Sequence, residues 1–153
     1  MKLTRAGEYA VRCVLYLAAQ ERGEIVSRRE IADAMDIPFQ FLGKVAQQLA
    51  KAGVLEIRQG AQGGVRLLAA PKHISLLMVV EAIEGEIFLN DCLLNPESCS
   101  RVGSCGVHRV WSEARKRLRD SLNAVTFDQL AAEELCVPCP SMGSKHMFKD
   151  LRG

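Results

Sequence analysis

Three cysteines in one short segment have the residue type and spacing in this chain that best suit a metal or redox site. Cys92, Cys99 and Cys105 are separated by six and five residues, in a stretch rich in Asn, Ser, Gly and Pro, and His108 follows three residues later. Thiolates are the soft ligands that iron–sulfur clusters and zinc prefer. A flexible loop can wrap its thiols around a compact cluster, so we expect a metal or redox site here.

Three chemistries suit these thiols. An iron–sulfur cluster, [2Fe–2S] or [4Fe–4S], commonly takes four protein ligands, and the loop supplies three cysteines together with His108. Structural zinc usually takes cysteines in closely spaced pairs, which this spacing does not match. Free redox thiols are the third alternative. The spacing favours the cluster and leaves zinc and a thiol switch open.

The remaining cysteines have other expected roles. Cys13 falls on the apolar face of the first helix and is expected in the core. Cys136 and Cys139 form a CxxC, which could be an accessory metal or redox pair or simply part of the tail. The N-terminus lacks the apolar block of a signal peptide, and no apolar run is long enough for a membrane span. We therefore expect a cytoplasmic protein without a membrane partner.

The elements of the first half follow a recognisable order. Apolar residues spaced by three and four predict a helix at the start of the chain. Ser27 and Glu30 have capping-box spacing and predict a second helix, and Pro38 opens a third. Short strands at 54–58 and 65–68 flank a glycine-rich turn. This is the order of a winged helix-turn-helix, in which the helix after the turn lies in the DNA major groove.

The second half contains one unusually long helix. Ser75 begins a linking helix, the cysteine loop follows, and a helix of about nineteen residues then spans roughly 28 Å. Such a helix in a small chain usually needs a partner helix, and we expect its twin in a homodimer, with packing onto its own domain as the alternative. Its apolar face comprises Val107, Val110, Trp111, Ala114, Leu118, Leu122 and Val125.

The predicted fold is therefore mainly α with a small β-hairpin. We expect a winged helix-turn-helix DNA-binding domain at 1–70, and a linking helix, cysteine loop and dimerisation helix at 71–135. A CxxC-containing tail, expected to be flexible, occupies 136–153. Residues 1–70 hold ten Lys and Arg against seven Asp and Glu, whereas 71–153 hold ten against eleven. This charge distribution favours the first half as the phosphate-facing surface.

The chain resembles winged-helix regulators of the IscR/NsrR type, the Rrf2 family, from residue 1 to about 135. Each matching segment is weak alone, but their order and spacing together are specific. The segments are 2–4, 7–11, 37–42, 49–53, the wing at 58–64, 74–76, 81–85, and the run from Cys92 through Cys99 and Cys105 to His108.

The resemblance implies a homodimer that reads palindromic promoter sites in double-stranded DNA, expected to act as a repressor, with the long helices forming the dimer interface. Some members hold an iron–sulfur cluster on the three-cysteine loop and report on iron–sulfur supply, nitric oxide, oxygen or redox state. The fourth ligand differs between members. It is either the histidine matching His108 or a carboxylate from the partner's first helix, matching Glu8.

The third helix is the expected reading element, with Gln40 and Lys44 nearest to base edges or phosphates. Arg28 and Arg29, at the start of the second helix, are expected to hold the DNA backbone. Gly43 departs from the family, which often has a contact-making side chain there, and a helical glycine costs about 1 kcal/mol relative to alanine. The base contacts of other members are therefore not transferred.

The wing is expected to place Arg58, Gly63 and Gly64 in or beside the minor groove, where arginine favours narrow A·T-rich segments. The rival interpretation is an iron–sulfur electron carrier or enzyme. The sequence has no nucleotide-binding loop or acid–base constellation, and an electron carrier needs no winged helix. We therefore expect a regulator and no enzymatic activity.

Overall fold

The computed structural model describes the backbone of residues 3–136 and the side chains of residues 3–133. Cys139 and the predicted tail after residue 136 lie outside the described residues. The described part holds six α-helices and one hairpin. They are α1 (Arg5–Ala18), α2 (Arg28–Met35), α3 (Phe39–Lys51), β1 (Leu55–Arg58), β2 (Gly64–Leu67), α4 (Leu76–Glu84), α5 (Gly106–Ala124) and α6 (Phe127–Cys136).

Local capping explains where the helices begin. The Ser27 hydroxyl accepts a hydrogen bond from Glu30 N at 3.2 Å, and Ser75 caps α4 in the same way. A cap of this kind is typically worth about 1 kcal/mol. The Glu30 carboxylate does not return to the cap as a capping box requires. It accepts a 2.8 Å hydrogen bond from the Tyr16 hydroxyl and so ties α2 to α1.

The core lies where α1 packs against α3, α4 and α6. Cys13 is fully buried at its centre, as expected, and burial raises the pKa of its thiol to about 12. Leu42, Val45 and Leu49 bury one face of α3, which leaves the opposite face of that helix exposed. The fold thus presents α3 to solvent on a rigid support.

The wing is an antiparallel hairpin that a third segment anchors to the domain. Strands β1 and β2 pair with Leu55 opposite Leu67, and Val26 exchanges two 2.9 Å backbone hydrogen bonds with Val65. A Cβ on Gly64 would collide with the carbonyl oxygen of Val26, so only glycine allows this approach. The bridge fixes the wing relative to the start of α2.

Helix α5 has the predicted length of 19 residues. In its C-terminal half, Leu118 and Leu122 pack against a small cluster formed by Leu77, Val80 and Ile87 of the same chain. The alternative of packing onto its own domain is therefore correct for this half of the helix. Among residues 3–136, no helix is long and apolar enough to cross a bilayer.

Candidate nucleic-acid interface and cysteine loop

The structure brings two of the three loop cysteines to one histidine. The His108 ring nitrogen Nδ1 lies 3.4 Å from Sγ of Cys92. Cys105 is the N-cap of α5, and its Sγ accepts a hydrogen bond from His108 N at 3.4 Å. Cys105 therefore places its sulfur at the N-terminal end of α5, where backbone N–H groups point toward it.

Cys99 and Glu8 do not join this group. Cys99 is exposed on the loop, and Glu8 lies in the first turn of α1. Among the described residues, no three His, Cys, Asp or Glu side chains are close enough to hold a metal ion. The loop between residues 91 and 104 consists of three short 3-10 turns with an almost entirely exposed surface. Such a segment can rearrange around a cluster, and its soft donors fit one.

The start of the loop is held by two arginines of α5. Arg115 donates from Nε to the Ile87 carbonyl at 2.7 Å and pairs with Glu86, while Arg119 pairs with Glu81. The Glu81 carboxylate also accepts a 3.1 Å hydrogen bond from Ile87 N. Partners some thirty to forty residues away leave no local signal, so the sequence does not predict these contacts.

A second contact joins α4 to the DNA-binding half. Glu84, the last residue of α4, accepts hydrogen bonds from the backbone N–H of Thr4 at 3.1 Å and from its hydroxyl at 2.5 Å. Thr4 in turn caps α1 by accepting a 3.2 Å hydrogen bond from Gly7 N. Helix α4, which precedes the cysteine loop, is thus hydrogen-bonded to the start of α1, and α1 supports α3.

The predicted reading residues of α3 are accessible. Gln40 and Lys44 lie one turn apart and both are exposed. Two aromatic side chains that the sequence did not single out stand beside them: Phe39 is 43% exposed, and Phe41 is 50% exposed and packs on Tyr9 with ring centroids 6.0 Å apart. The spacing misplaces Phe41: it lies four residues before Val45 and is therefore expected on the buried stripe, yet it is half exposed.

Arg28 and Arg29 both stack on the ring of Phe39. Their guanidinium carbons lie 5.7 and 4.9 Å from its centroid, within the range of cation–π attraction. Within the described part of the chain, neither forms an ion pair. Two unneutralised charges therefore flank the start of α3, as the sequence predicts for a phosphate-facing surface.

The wing carries its own charge arrangement. The Arg58 side chain is 50% exposed, and its Nε lies 3.4 Å from Glu56, which also binds Arg66 at 2.6 Å. The hydrogen bond from Arg66, followed by that from Arg58, holds the pKa of the Glu56 carboxyl below its usual range. A Cβ on Gly63 would collide with the Arg58 carbonyl, so the hairpin itself requires glycine at this position.

The N-terminal end of α5 presents an uncovered apolar surface. Val107 is 58% exposed, Val110 is 62% exposed and Trp111 is 39% exposed. Ala114 continues this face into a shallow groove, and its polar rim holds a 2.8 Å ion pair between Arg117 and Glu113. Exposed apolar surface with a charged rim is typical of a protein–protein contact.

A helix-turn-helix with one exposed helix face, followed by a two-stranded wing, defines the chain as a winged-helix DNA-binding protein. The chain belongs to the Rrf2 family, because the family model described as "Iron-dependent Transcriptional regulator" matches residues 3–133.

Similar proteins agree with this assignment. The chain is 37% identical to protein aau3 of Rhizobium meliloti over 85% of its own length and 84% of that protein. It is 31% identical to the transcriptional regulator NsrR of Bacillus licheniformis, over 85% and 92% of the two chains. Its fold is similar to that of T. potens IscR, with a TM-score of 0.70, 24% identity and 94% of each chain covered. CymR of B. subtilis, described as the global cysteine regulator, gives a TM-score of 0.70 at 24% identity over 87% and 98%.

These comparisons settle the general activity. The family and its relative NsrR are transcription regulators rather than enzymes, and this chain is a DNA-binding transcription regulator. The predicted fold, family and absence of an enzymatic role are confirmed.

Proposed function

We propose that the protein is a homodimeric repressor whose DNA binding responds to redox state, nitric oxide or iron–sulfur supply through a cluster on the cysteine loop. The observation that supports this most directly is the convergence of Cys92 and Cys105 on His108 at the start of α5. Their position between the DNA-binding half and the exposed apolar end of α5 suits a sensor.

Cys92, Cys99 and Cys105 would hold the cluster, and either His108 or Glu8 of the partner subunit would complete the set. An iron–sulfur cluster supplies a centre that changes oxidation state and reacts with small oxidants. The chain contributes the His108 N–H, which donates a hydrogen bond to the sulfur of Cys105, and an exposed Cys99 that can move toward the other ligands.

The DNA contacts follow from the exposed surface of the first half. Helix α3 enters the major groove with Gln40 and Lys44 foremost, and the arginines at the start of α2 hold the backbone. The wing lies beside the minor groove, where Arg58 inserts between phosphates and the tip formed by Gly63 and Gly64 approaches closely. Two copies related by a two-fold axis then read a palindromic site.

The exposed end of α5 forms the dimer interface. Val107, Val110 and Trp111 bury against the same residues of a second copy, since a two-fold interface uses one patch twice. The C-terminal half of the helix already packs on its own domain, so α5 joins the partner to the cysteine loop and to the core. A change in the loop therefore alters how the two heads are spaced.

The test is metal analysis of protein purified without oxygen. Iron and sulfide in matched amounts, with a visible chromophore, are expected for the wild type and for Cys13→Ala, because Cys13 lies in the core. Cys92→Ala, Cys99→Ala and Cys105→Ala should each lose the chromophore, and operator binding should differ between loaded and metal-free protein. Zinc alone, or no metal after reconstitution, would refute the cluster.

The close approach of an imidazole to Cys92 favours a second candidate, a thiol switch without a metal. An imidazole beside a sulfur atom supports thiolate reactivity. In that case operator binding by metal-free protein should change reversibly on oxidation, and Cys92→Ser should abolish the response. A metal-free protein that ignores oxidation would exclude this candidate.

A further inference from the structure

Arg28 lies alongside α3 in space that residue 43 leaves free. A Cβ placed on Gly43 would lie 3.5 Å from Nη1 of Arg28. The same guanidinium is 5.7 Å from the ring centroid of Phe39, one helical turn earlier. The side chain of Arg28, an α2 residue, therefore lies against α3 between the ring of Phe39 and position 43, where the glycine offers no side chain.

Phe39 holds this arrangement together. Its ring carries Arg28 and, at 4.9 Å, Arg29 as well, although 43% of Phe39 remains exposed. Stacking on an aromatic ring fixes the plane of a guanidinium and leaves its N–H groups free at the edges. Arg28 is half-buried, whereas Arg29 is exposed.

We propose that Arg28 reads a base edge in the major groove, and that Phe39 is its positioning residue. The chemistry of a planar, oriented guanidinium matches guanine, which accepts two hydrogen bonds through O6 and N7. Arg29, which is exposed, contacts phosphate. This revises the expectation that both arginines hold the backbone, and it rests on the proposed placement of α3 in the major groove.

The experiment begins by selecting preferred duplexes from a random DNA library with wild-type protein. Affinity is then measured at fixed salt for every single-base-pair change in that site. Arg28→Ala should remove discrimination at one G·C pair per half-site, a loss on the order of 5- to 150-fold. The matched control Arg29→Ala should weaken all duplexes alike and reduce the salt slope by about one. A uniform loss for Arg28→Ala, with its base profile unchanged, would overturn the proposal.

Variants of the neighbouring positions test the positioning itself. Phe39→Ala should lose discrimination at the same base pair as Arg28→Ala, and Phe39→Trp should restore it because the ring is retained. Gly43→Gln fills the space and should cause the same loss, with no further effect when combined with Arg28→Ala. Gly43→Ala should keep the wild-type profile, since 3.5 Å is an ordinary contact. A purely structural role for Phe39 would instead weaken all duplexes equally, and that result would also overturn the proposal.

The variants Gln40→Ala and Lys44→Ala distinguish a failure of this proposal from a failure of the proposed placement of α3 in the major groove. If both leave operator affinity unchanged, α3 does not lie in the groove and both proposals fail. If they weaken binding while Arg28→Ala leaves the base profile intact, only the assignment of Arg28 fails.

Discussion

Placing a carboxylate at Val110 should convert the protein into a folded monomer. Val110 is 62% exposed in the protomer, next to Val107 and Trp111. Complete burial of a valine is worth about 1.5 kcal/mol, so covering the exposed part is worth about 1 kcal/mol per protomer. A two-fold interface contains the residue twice, which gives about 2 kcal/mol per dimer, or roughly 30-fold in Kd.

Val110→Ala, which removes most of this contribution, should therefore raise the dimer Kd by roughly tenfold. Val110→Glu adds the desolvation of two like charges at the symmetry axis, a penalty of several kcal/mol, and should raise Kd by roughly 1,000-fold or more. Ser112→Glu is the matched control. It adds the same charge about 200° around the helix, at an exposed position.

Sedimentation equilibrium over a range of protein concentrations measures these constants, and circular dichroism checks the fold. Helicity should be unchanged in all three variants, because substitutions of exposed residues usually alter the free energy of unfolding by less than about 0.5 kcal/mol. Equal Kd values for Val110→Glu and Ser112→Glu would refute the interface. A Val110→Glu protein that has lost its helicity would show that the side chain supports the protomer instead.

Three further outcomes are expected. In metal-free protein at pH 8, iodoacetamide should label exposed Cys99 first and Cys13 last, because with a pKa of about 12 roughly one Cys13 thiol in ten thousand is ionised. Mass spectrometry of peptides gives the order of labelling, and early labelling of Cys13 would contradict its buried state. Arg58→Ala should weaken operator binding and lower the salt slope by about one without a change in thermal stability, and an unchanged slope would remove Arg58 from the interface. Gly64→Ala should cost about 1–3 kcal/mol in urea denaturation because its Cβ meets the Val26 carbonyl, whereas Gly103→Ala, with open space around it, should stay near the wild type.

The sequence predicts the elements of this fold well because their signals are local. The hydroxyls of Ser27 and Ser75 begin helices by accepting from N–H groups three residues later, and such spacing is visible in the sequence. The 19-residue length of α5 follows from an uninterrupted apolar period in the same way. The sequence also shows a glycine at 64, but it does not show why glycine is needed there, which is the close approach of Val26.

What the sequence does not predict depends on distant partners. The apolar period of α5 is continuous, yet Leu118 packs on its own domain while Val110 is exposed, because periodicity defines a face and not what covers it. The Glu30 carboxylate accepts a hydrogen bond from Tyr16 on another helix instead of returning to the cap of its own helix. The convergence of Cys92 and Cys105 on His108 depends on how the loop folds, and spacing alone left cluster, zinc and free thiols open.

The contacts around the cysteine loop indicate how the proposed sensor would act on DNA. Arg115 ties α5 to Ile87 just after α4, and Arg119 ties it to Glu81 of α4, so this end of the loop cannot change shape without moving α5 or breaking these contacts. Glu84 ties the preceding helix to Thr4, the cap of α1, and α1 packs directly against α3. Order in the loop would thus reach the reading helix through α4, and it would reach the proposed dimer interface directly, because Cys105 of the loop is the N-cap of α5. Because palindromic half-sites have a fixed spacing, a small change in this linkage is enough to change affinity.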